Sequence, residues 1–230
     1  MEAMTLVIAC LAMWQTTSPS VPSKLIYPLA HSIRSPKIAV DCSAAPEMEA
    51  WGGQAKHLAT QWFPLVCQLL STEKYRAPKT LRFVFRFKQD APAYCDGNEI
   101  SFSVDYLRKH PDDFGMVIHE MTHAIQAYPP NKVDTGWLVE GIADYIRWWR
   151  YEPEAPRTRI DFSKATYHDA YRTTAAWLAW VSKKYDSGLV PALDLKMRHS
   201  EDPLPLFEKM TGKEPQALWE EFRSATEVRR

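Results

Sequence analysis

The most constraining feature of this sequence is the pattern His-Glu-x-x-His, formed by His119, Glu120 and His123. Residues i and i+4 of an α-helix lie on the same face, so a helix here would point both histidine side chains at one place. Two neutral imidazoles that converge in this way make half of a tetrahedral zinc site. Glu120 flanks that place, and it is the candidate general base for a water molecule activated by zinc.

A catalytic zinc site needs a third protein ligand and a fourth position that stays open. Glu140, seventeen residues after His123, is the candidate for that ligand. Pro129-Pro130 must end the first helix because proline has no N–H to donate. A second helix is predicted from Trp137 to about Tyr151, and it can return Glu140 to the histidines. Asp144, one turn later, is the candidate acceptor for the free ring N–H of a histidine ligand.

Each part of this pattern also has a plainer explanation. A single histidine on an apolar helix is usually a core or surface residue, and Glu140 with Asp144 can form a solvated helix face. The surroundings of the motif favour a metal site, because its helix is otherwise apolar and the run that contains Glu140 and Asp144 follows at a workable distance. The apolar residues around the motif are Phe114, Met116, Val117, Ile118, Ala124 and Ile125.

The stretches HEMTHAIQ, LVEGIADYIRWW and YHDAYRTTAAWLAWV resemble the plant and bacterial basic secretory protein family of zinc peptidases. More broadly, the pattern is similar to the gluzincin metallopeptidases, which include thermolysin. The resemblance runs from about Lys37 to Phe222. It implies an α+β zincin with a small twisted sheet, an active-site helix and a mostly helical C-terminal lobe. It also implies Zn²⁺ as the cofactor and a peptide or protein as the substrate.

The implied reaction is peptide-bond hydrolysis by a zinc-activated water, with Glu120 as the general base. Tyr171 is the candidate donor to the tetrahedral oxyanion, because the family has a similar Tyr-x-x-Thr-Ala stretch. Tyr167 and His168 are its neighbours on a helix predicted from Thr166 to Tyr185. A core tyrosine is the alternative explanation of Tyr171.

Two other functions stay open on sequence grounds. One is a secreted zinc-binding defence or binding protein with little turnover, and the other is a metal hydrolase that acts on a non-peptide bond. The presence of Glu120 argues for an enzyme, because zinc binding alone does not require that carboxylate.

The length of 230 residues and the 46% hydrophobic content suit one domain with a substantial core. Residues 1–36 are predicted to be a signal-like segment and a Ser/Pro-rich linker, because the apolar run from Thr5 to Trp14 precedes TTSPSVPSK. The leading MEAM lacks a basic residue, so a first helix or strand of the fold is the alternative. Residues 37–230 are predicted to be the metallopeptidase domain, with an N-terminal part of sheet and helix to about residue 128 and a helical lobe after it.

Charge and composition limit the partners and the location. Lys plus Arg and Asp plus Glu both number 28, so this chain is not basic and nothing suggests a nucleic-acid partner. No stretch approaches the roughly 20 apolar residues that cross a bilayer. We expect a monomer that is secreted or periplasmic, with the cytoplasm as the alternative. The cysteines show no Cys-x-x-Cys spacing, and a role as small buried apolar residues is favoured over metal ligation: Cys10, Cys42, Cys67 and Cys95. Removal of a signal would leave three of them, which allow at most one disulfide and a free thiol.

The remaining patterns predict the scaffold. Strands are expected over Lys37–Cys42 and Leu81–Lys88, and a long helix over Pro46–Leu70. The turn signal Asp96-Gly97-Asn98 precedes a third strand. By resemblance to zincins, Asn98–Ser103 would be the sheet edge that borders the cleft, and an interior strand is the alternative. Most of the aromatic residues near the motif are expected in the core, with one or two lining a pocket.

Overall fold

The computed structural model describes residues 33–70, 72, 75–157 and 159–227. The predicted signal-like run and Cys10 lie outside the described residues, and residues 33–36 have no regular secondary structure. The described residues form a sheet, α-helices, a short 3-10 turn at Pro46–Met48 and a π-helical turn at Ile146–Tyr151. The strands and helices in chain order are β1 (Lys37–Asp41), α1 (Glu49–Leu69), β2 (Thr80–Arg86), β3 (Ala93–Asp96), β4 (Glu99–Ser103), α2 (Val104–Leu107), α3 (Gly115–Gln126), α4 (Gly136–Tyr145), α5 (Tyr171–Lys184), α6 (Leu189–Arg198), α7 (Pro205–Thr211) and α8 (Pro215–Glu227).

The sheet has the strand order β1-β2-β4-β3. β1 pairs parallel with β2 and β2 pairs parallel with β4, whereas β3 pairs antiparallel with β4. The chain is therefore α+β with a small mixed sheet and mostly helical, as the sequence predicted. The prediction that Asn98–Ser103 forms the sheet edge is wrong. β4 has β2 on one side, so the hairpin turn at Gly97 folds β3 onto its other side and makes β3 the edge.

Helix α1 lies directly on one face of the sheet. The apolar side chains of β2 that alternate along the strand are buried against it, namely Leu81, Phe83 and Phe85. A Cβ atom on Gly52 would lie 2.7 Å from Cγ1 of Val40 in β1, closer than side-chain atoms approach one another. The missing side chain thus allows α1 to approach the sheet closely, and α1 runs unbroken through Pro64.

Trp51 of α1 holds the segment that leads into the helix with the His-Glu-x-x-His pattern. Its indole N–H donates to the backbone oxygen of Pro111 at 2.9 Å, and its ring stacks on Phe114 with centroids 5.0 Å apart. Residues 111–114 lie before the helix and are mostly in turns, so α3 begins at Gly115. A Cβ atom on Gly115 would lie 2.6 Å from the Arg147 side chain, which explains the glycine there.

The C-terminal end of α3 is held by a buried ion pair from α6. The Arg198 guanidinium donates to the backbone oxygens of Ile125 at 3.0 Å and Gln126 at 3.2 Å, two carbonyls of the last helical turn. Asp194 accepts from the same guanidinium at 2.7 and 3.1 Å. Ala127 then adopts a left-handed conformation with φ of 35°, which ends the helix before the proline pair.

Helices α4 and α5 pack closely, with the backbone of α4 against a side chain of α5. A Cβ atom on Gly141 would lie 2.2 Å from Cγ2 of Thr174, so a larger residue than glycine would separate the two helices. The helix predicted from Trp137 to Tyr151 is confirmed, with a π-helical last turn. The helix predicted from Thr166 begins only at Tyr171. Tyr167 and His168 therefore precede α5 and do not lie on it.

Two further features concern the cysteines and the membrane. Cys42, Cys67 and Cys95 are free thiols, and burial raises the pKa of Cys67 to about 12, as expected for an unreactive buried thiol. In the part of the chain that the structure describes, no helix combines the length and apolar character that crossing a membrane requires.

Candidate metal centre

Three side chains from two helices converge at the centre of the molecule. His119 and His123 lie one turn apart in α3, and Glu140 comes from the second turn of α4. The two Nε2 atoms are 3.1 Å apart, and Oε2 of Glu140 lies 3.2 Å from Nε2 of His119 and 3.3 Å from Nε2 of His123. These atoms form a nearly equilateral triangle of metal-binding groups.

The size of this triangle matches a zinc ion. Zinc bonds of about 2.0–2.1 Å at tetrahedral angles separate neighbouring ligand atoms by about 3.3 Å. Two imidazole nitrogens and one carboxylate oxygen are also the ligand types that zinc accepts in catalytic sites with an open fourth position. The donor set of this chain therefore fits zinc in both chemistry and spacing.

Each histidine is held through its other ring nitrogen. Nδ1 of His119 donates to Oδ1 of Asp144 at 2.8 Å, and Nδ1 of His123 donates to Oε1 of Gln126 at 2.8 Å. The Gln126 amide nitrogen donates to the backbone oxygen of Val139 at 3.0 Å, so the amide oxygen faces the histidine. In the neutral form of each imidazole, these bonds place the proton on Nδ1 and the lone pair on Nε2, as metal binding requires.

The charges in the centre are strongly coupled. Burial lowers the pKa of His119, but hydrogen bonds to Asp144 and Glu140 outweigh it and raise the pKa to about 9. Burial raises the pKa of Glu140, but hydrogen bonds from both histidines outweigh it and lower the pKa to about 2. The carboxylates thus attract positive charge to this point, either a proton on His119 or a metal cation.

Glu120 lies beside the triangle without belonging to it. Its side chain is buried in α3 and lines the same cleft as the histidines. Burial raises the pKa of Glu120, while cationic histidines and a hydrogen bond from the backbone of Cys95 in β3 lower it. A carboxylate with a raised pKa beside a metal site has the properties of a general base.

Tyr171 lies over His119 at the open side of the centre. The two rings are nearly parallel, with an interplanar angle of 16° and centroids 6.2 Å apart. The side chain is 55% exposed, so the alternative of a core tyrosine is wrong. The carboxylate of Glu140 makes the largest contribution to a raised pKa of the Tyr171 hydroxyl, and burial and the carboxylate of Asp144 raise this pKa further. The hydroxyl therefore keeps its proton and can donate it in a hydrogen bond.

The backbone that positions Tyr171 is strained. Ala170 has φ of 61° and ψ of −169°, a region that is essentially reserved for glycine, and Tyr171 has φ of 42°. Such conformations cost about 1–3 kcal/mol each and persist only where the surroundings impose them. Here the Thr174 N–H donates to the Ala170 oxygen at 3.1 Å, and the Thr174 hydroxyl donates to the Tyr167 oxygen at 2.7 Å.

The centre opens into a cleft of about 1010 Å³. One wall is the edge strand β3 with Tyr94 and Cys95, and the opposite wall runs from Asp169 to Thr173. Tyr167 and His168 do not line this cleft. His168 packs against Trp137 instead, with ring centroids 4.7 Å apart.

Two features of the site were missed in the sequence. Gln126 follows His123 by three residues, so helical spacing could have indicated that it holds this histidine. No sequence pattern near β3 indicates its place in the sheet, because strand order depends on pairing between distant segments.

The model of one protein family, described as "Peptidase of plants and bacteria", matches residues 53–222, more than half of the chain. The chain belongs to this family. The resemblance to the basic secretory protein family is therefore confirmed, and the matched range includes all the residues of the metal centre and the full length of α3, α4 and α5. No curated protein and no solved structure gives a significant match.

Membership in a peptidase family makes peptide-bond hydrolysis the activity to expect at the cleft. Among the residues that the structure describes, one group of His, Cys, Asp or Glu residues can hold a metal ion, and it is the His119, His123 and Glu140 group.

Proposed function

We propose that this protein is a zinc-dependent metallopeptidase of the zincin type. The observation that supports this most directly is the triangle of His119, His123 and Glu140, whose ligand atoms lie 3.1–3.3 Å apart. A peptidase family and a ligand set of zinc spacing point to the same chemistry. Zinc, when bound there, polarises the substrate carbonyl and makes a water molecule more acidic.

The protein groups divide the remaining work. Glu120 takes a proton from the attacking water and passes it to the leaving amine, for which its raised pKa suits it. Asp144 and Gln126 hold the two histidines in the tautomers that can bind a metal. Tyr171 donates its hydroxyl proton in a hydrogen bond to the oxyanion that forms at the substrate carbonyl.

Peptides or proteins are the proposed substrates, and the size and openness of the cleft suit an extended chain. We further propose that residues 37–230 form the metallopeptidase domain, with the N-terminal part of sheet and helix to about residue 128 and the helical lobe after it. The apolar run before residue 37 supports a secreted or periplasmic location. The proposed state is a monomer.

The test combines metal analysis with a digest of casein and a peptide library, with and without chelator. We expect about one zinc per chain, cleavage that chelation abolishes, and recovery on adding zinc. A metal-loaded protein that cleaves no peptide would favour the zinc-binding protein with little turnover, or the hydrolase of another bond.

The matched variant is Glu120→Gln. It should abolish cleavage and leave zinc content near wild type, because Glu120 is the proposed base and not a ligand. Zinc loss in Glu120→Gln would contradict the role proposed for Glu120, whereas equal loss of cleavage in an exposed control such as Glu220→Gln would indicate a general defect.

A further inference from the structure

The segment before α5 holds Tyr171 beside the metal centre with little help from the tyrosine ring itself. Packing covers less than half of the Tyr171 side chain, which is 55% exposed, and the ring lies over His119 with centroids 6.2 Å apart. The position of the phenol therefore depends mainly on the backbone of residues 170 and 171. Both have a positive φ, 61° at Ala170 and 42° at Tyr171, so this bend needs contacts that hold it.

Thr174 bonds to both sides of this bend. Its backbone N–H donates to the Ala170 oxygen at 3.1 Å, as in any first turn of a helix. Its hydroxyl reaches further back and donates to the Tyr167 oxygen at 2.7 Å, so it joins α5 to the segment that precedes the bend. Thr174 is fully buried, and solvent therefore does not compete for this hydroxyl.

The Tyr167 end of this hydrogen bond is firmly anchored. The Tyr167 ring packs against Trp177 of α5 with centroids 5.0 Å apart, and against Trp137 of α4 with centroids 5.5 Å apart. Trp177 is fully buried and belongs to the core. The Thr174 hydroxyl thus connects the bend to aromatic packing that involves both α4 and α5.

The methyl group of Thr174 makes a contact of its own, to the helix that contains Glu140. It lies against Gly141, the next residue in α4, so closely that a Cβ atom there would be 2.2 Å from Cγ2. A threonine side chain has few χ1 rotamers, and a methyl group seated in this way holds the hydroxyl in one direction, toward the Tyr167 oxygen. The methyl group therefore seats the side chain, and the hydroxyl holds the bend.

We propose that Thr174 is a positioning residue, whose hydroxyl keeps Tyr171 over the metal centre and thereby sets the rate of cleavage. The effect on the rate rests on the proposed function, in which Tyr171 donates to the oxyanion, whereas the effect on the position of the ring does not. Thr174 does not line the cleft, so it acts through Tyr171 and not on the substrate. A displacement of about 1 Å in such a group costs up to about 100-fold in rate.

Two substitutions separate the hydroxyl of Thr174 from its methyl group. Thr174→Val keeps the shape and the contact with Gly141 but removes the hydroxyl, so kcat should fall by about 10–100-fold, with KM and zinc content near wild type. Thr174→Ser keeps the hydroxyl and leaves a small cavity, so the melting temperature should fall by about 2–4 °C. Its kcat per folded molecule should stay within about threefold of wild type. A role in packing alone predicts the reverse order, because valine fills the space of threonine and serine does not.

A double-mutant cycle shows whether Thr174 acts through Tyr171. In the Tyr171→Phe background, Thr174→Val should lower kcat by less than about twofold further, because the group that it positions is already gone. Thr226→Val is the matched control. The Thr226 hydroxyl also donates to a backbone oxygen, that of Phe222 at 2.8 Å, but it does so in α8, which does not line the cleft. The kcat of Thr226→Val should equal that of the wild type.

The crystal structure of the Thr174→Val variant provides a readout that does not depend on cleavage. The Tyr171 ring should leave its place over His119 by about 1 Å or more, while the ligand atoms of His119, His123 and Glu140 keep their positions. A Tyr171 ring that does not move in this variant overturns the proposal.

The kinetic results can also overturn it. Thr174→Val with a wild-type kcat, in a protein that Tyr171→Phe does slow, would show that the hydroxyl of Thr174 positions nothing that the reaction needs. Thr174→Ser with a lower kcat than Thr174→Val would make Thr174 a packing residue. If the ring moves in Thr174→Val but Tyr171→Phe cleaves at the normal rate, the oxyanion role in the proposed function is wrong, and the structural part of this proposal, that Thr174 holds Tyr171, is supported.

Discussion

Helix α3 has two clusters of buried charged side chains, and they are built on opposite principles. At the C-terminal end of α3, Arg198 and Asp194 meet as complementary partners, with each charged group bonded to a group of the other kind. One turn away, His119, His123 and Glu140 aim three electron-pair donors at one point. The first cluster is complete by itself, whereas the second leaves a point between its ligand atoms that could hold a metal ion.

This difference separates structural from functional charge. Removal of one partner of a buried ion pair is strongly destabilising, because it leaves the other charge buried without compensation. A set of converging donors has instead the arrangement that binding a metal ion requires. Gln126 connects the two clusters, because its side chain holds His123 and its backbone oxygen accepts from Arg198.

The largest expected effect is on the converging cluster. Glu140→Ala should reduce zinc affinity by more than about 100-fold, since loss of a ligand exceeds the cost of losing a supporting residue, and cleavage should fall to background. Equilibrium dialysis with zinc measures the affinity. If Glu140→Ala keeps full affinity while Asp144→Ala loses the metal, then Asp144 is the third ligand and the assignment is reversed.

The complementary cluster should respond in the opposite way. Arg198→Met leaves Asp194, which is fully buried, without its charged partner, and this should lower the free energy of unfolding by about 3–5 kcal/mol. Cleavage per folded molecule should stay close to wild type. Arg223→Met is the matched control, because its partner Glu220 is exposed, and it should cost less than about 1 kcal/mol in urea unfolding.

Tyr171→Phe tests the open side of the converging cluster. If the hydroxyl binds the oxyanion, kcat should fall by about 10²–10³-fold while KM, zinc content and melting temperature change little. Tyr167→Phe is the control, since Tyr167 does not line the cleft, and its turnover should be normal. A lower melting temperature with normal turnover per folded molecule would make Tyr171 structural.

The smallest expected effect concerns the groups that hold the histidines. Asp144→Asn keeps an acceptor for Nδ1 of His119 but removes the charge that makes the ligand more basic, so zinc affinity or activity should fall by about 10–100-fold. Gln126→Leu removes the neutral hydrogen-bond acceptor of His123, and its loss of zinc affinity or activity should lie at the lower end of that range. Unchanged zinc affinity in Asp144→Asn would reduce Asp144 to a packing role.

The sequence by itself determined what depends on neighbours along one helix. The four-residue spacing of His119 and His123 places them on one face of α3, and the proline pair predicted a break between the two helices, which the structure places at Ala127. The alternation of β2 followed from similar local periodicity, whereas the α+β class was implied by the family resemblance.

Only the tertiary structure decided the features that depend on distant segments. β4 is interior because β2 pairs with one of its sides and β3 with the other, so β3 with Tyr94 borders the cleft. Ala170 and Tyr171 have positive φ values that neither residue type predicts, at the start of the helix that packs on α4 through Thr174. Arg198 is 72 residues from Gln126 in the chain, so no local pattern relates the two, and only packing brings them together.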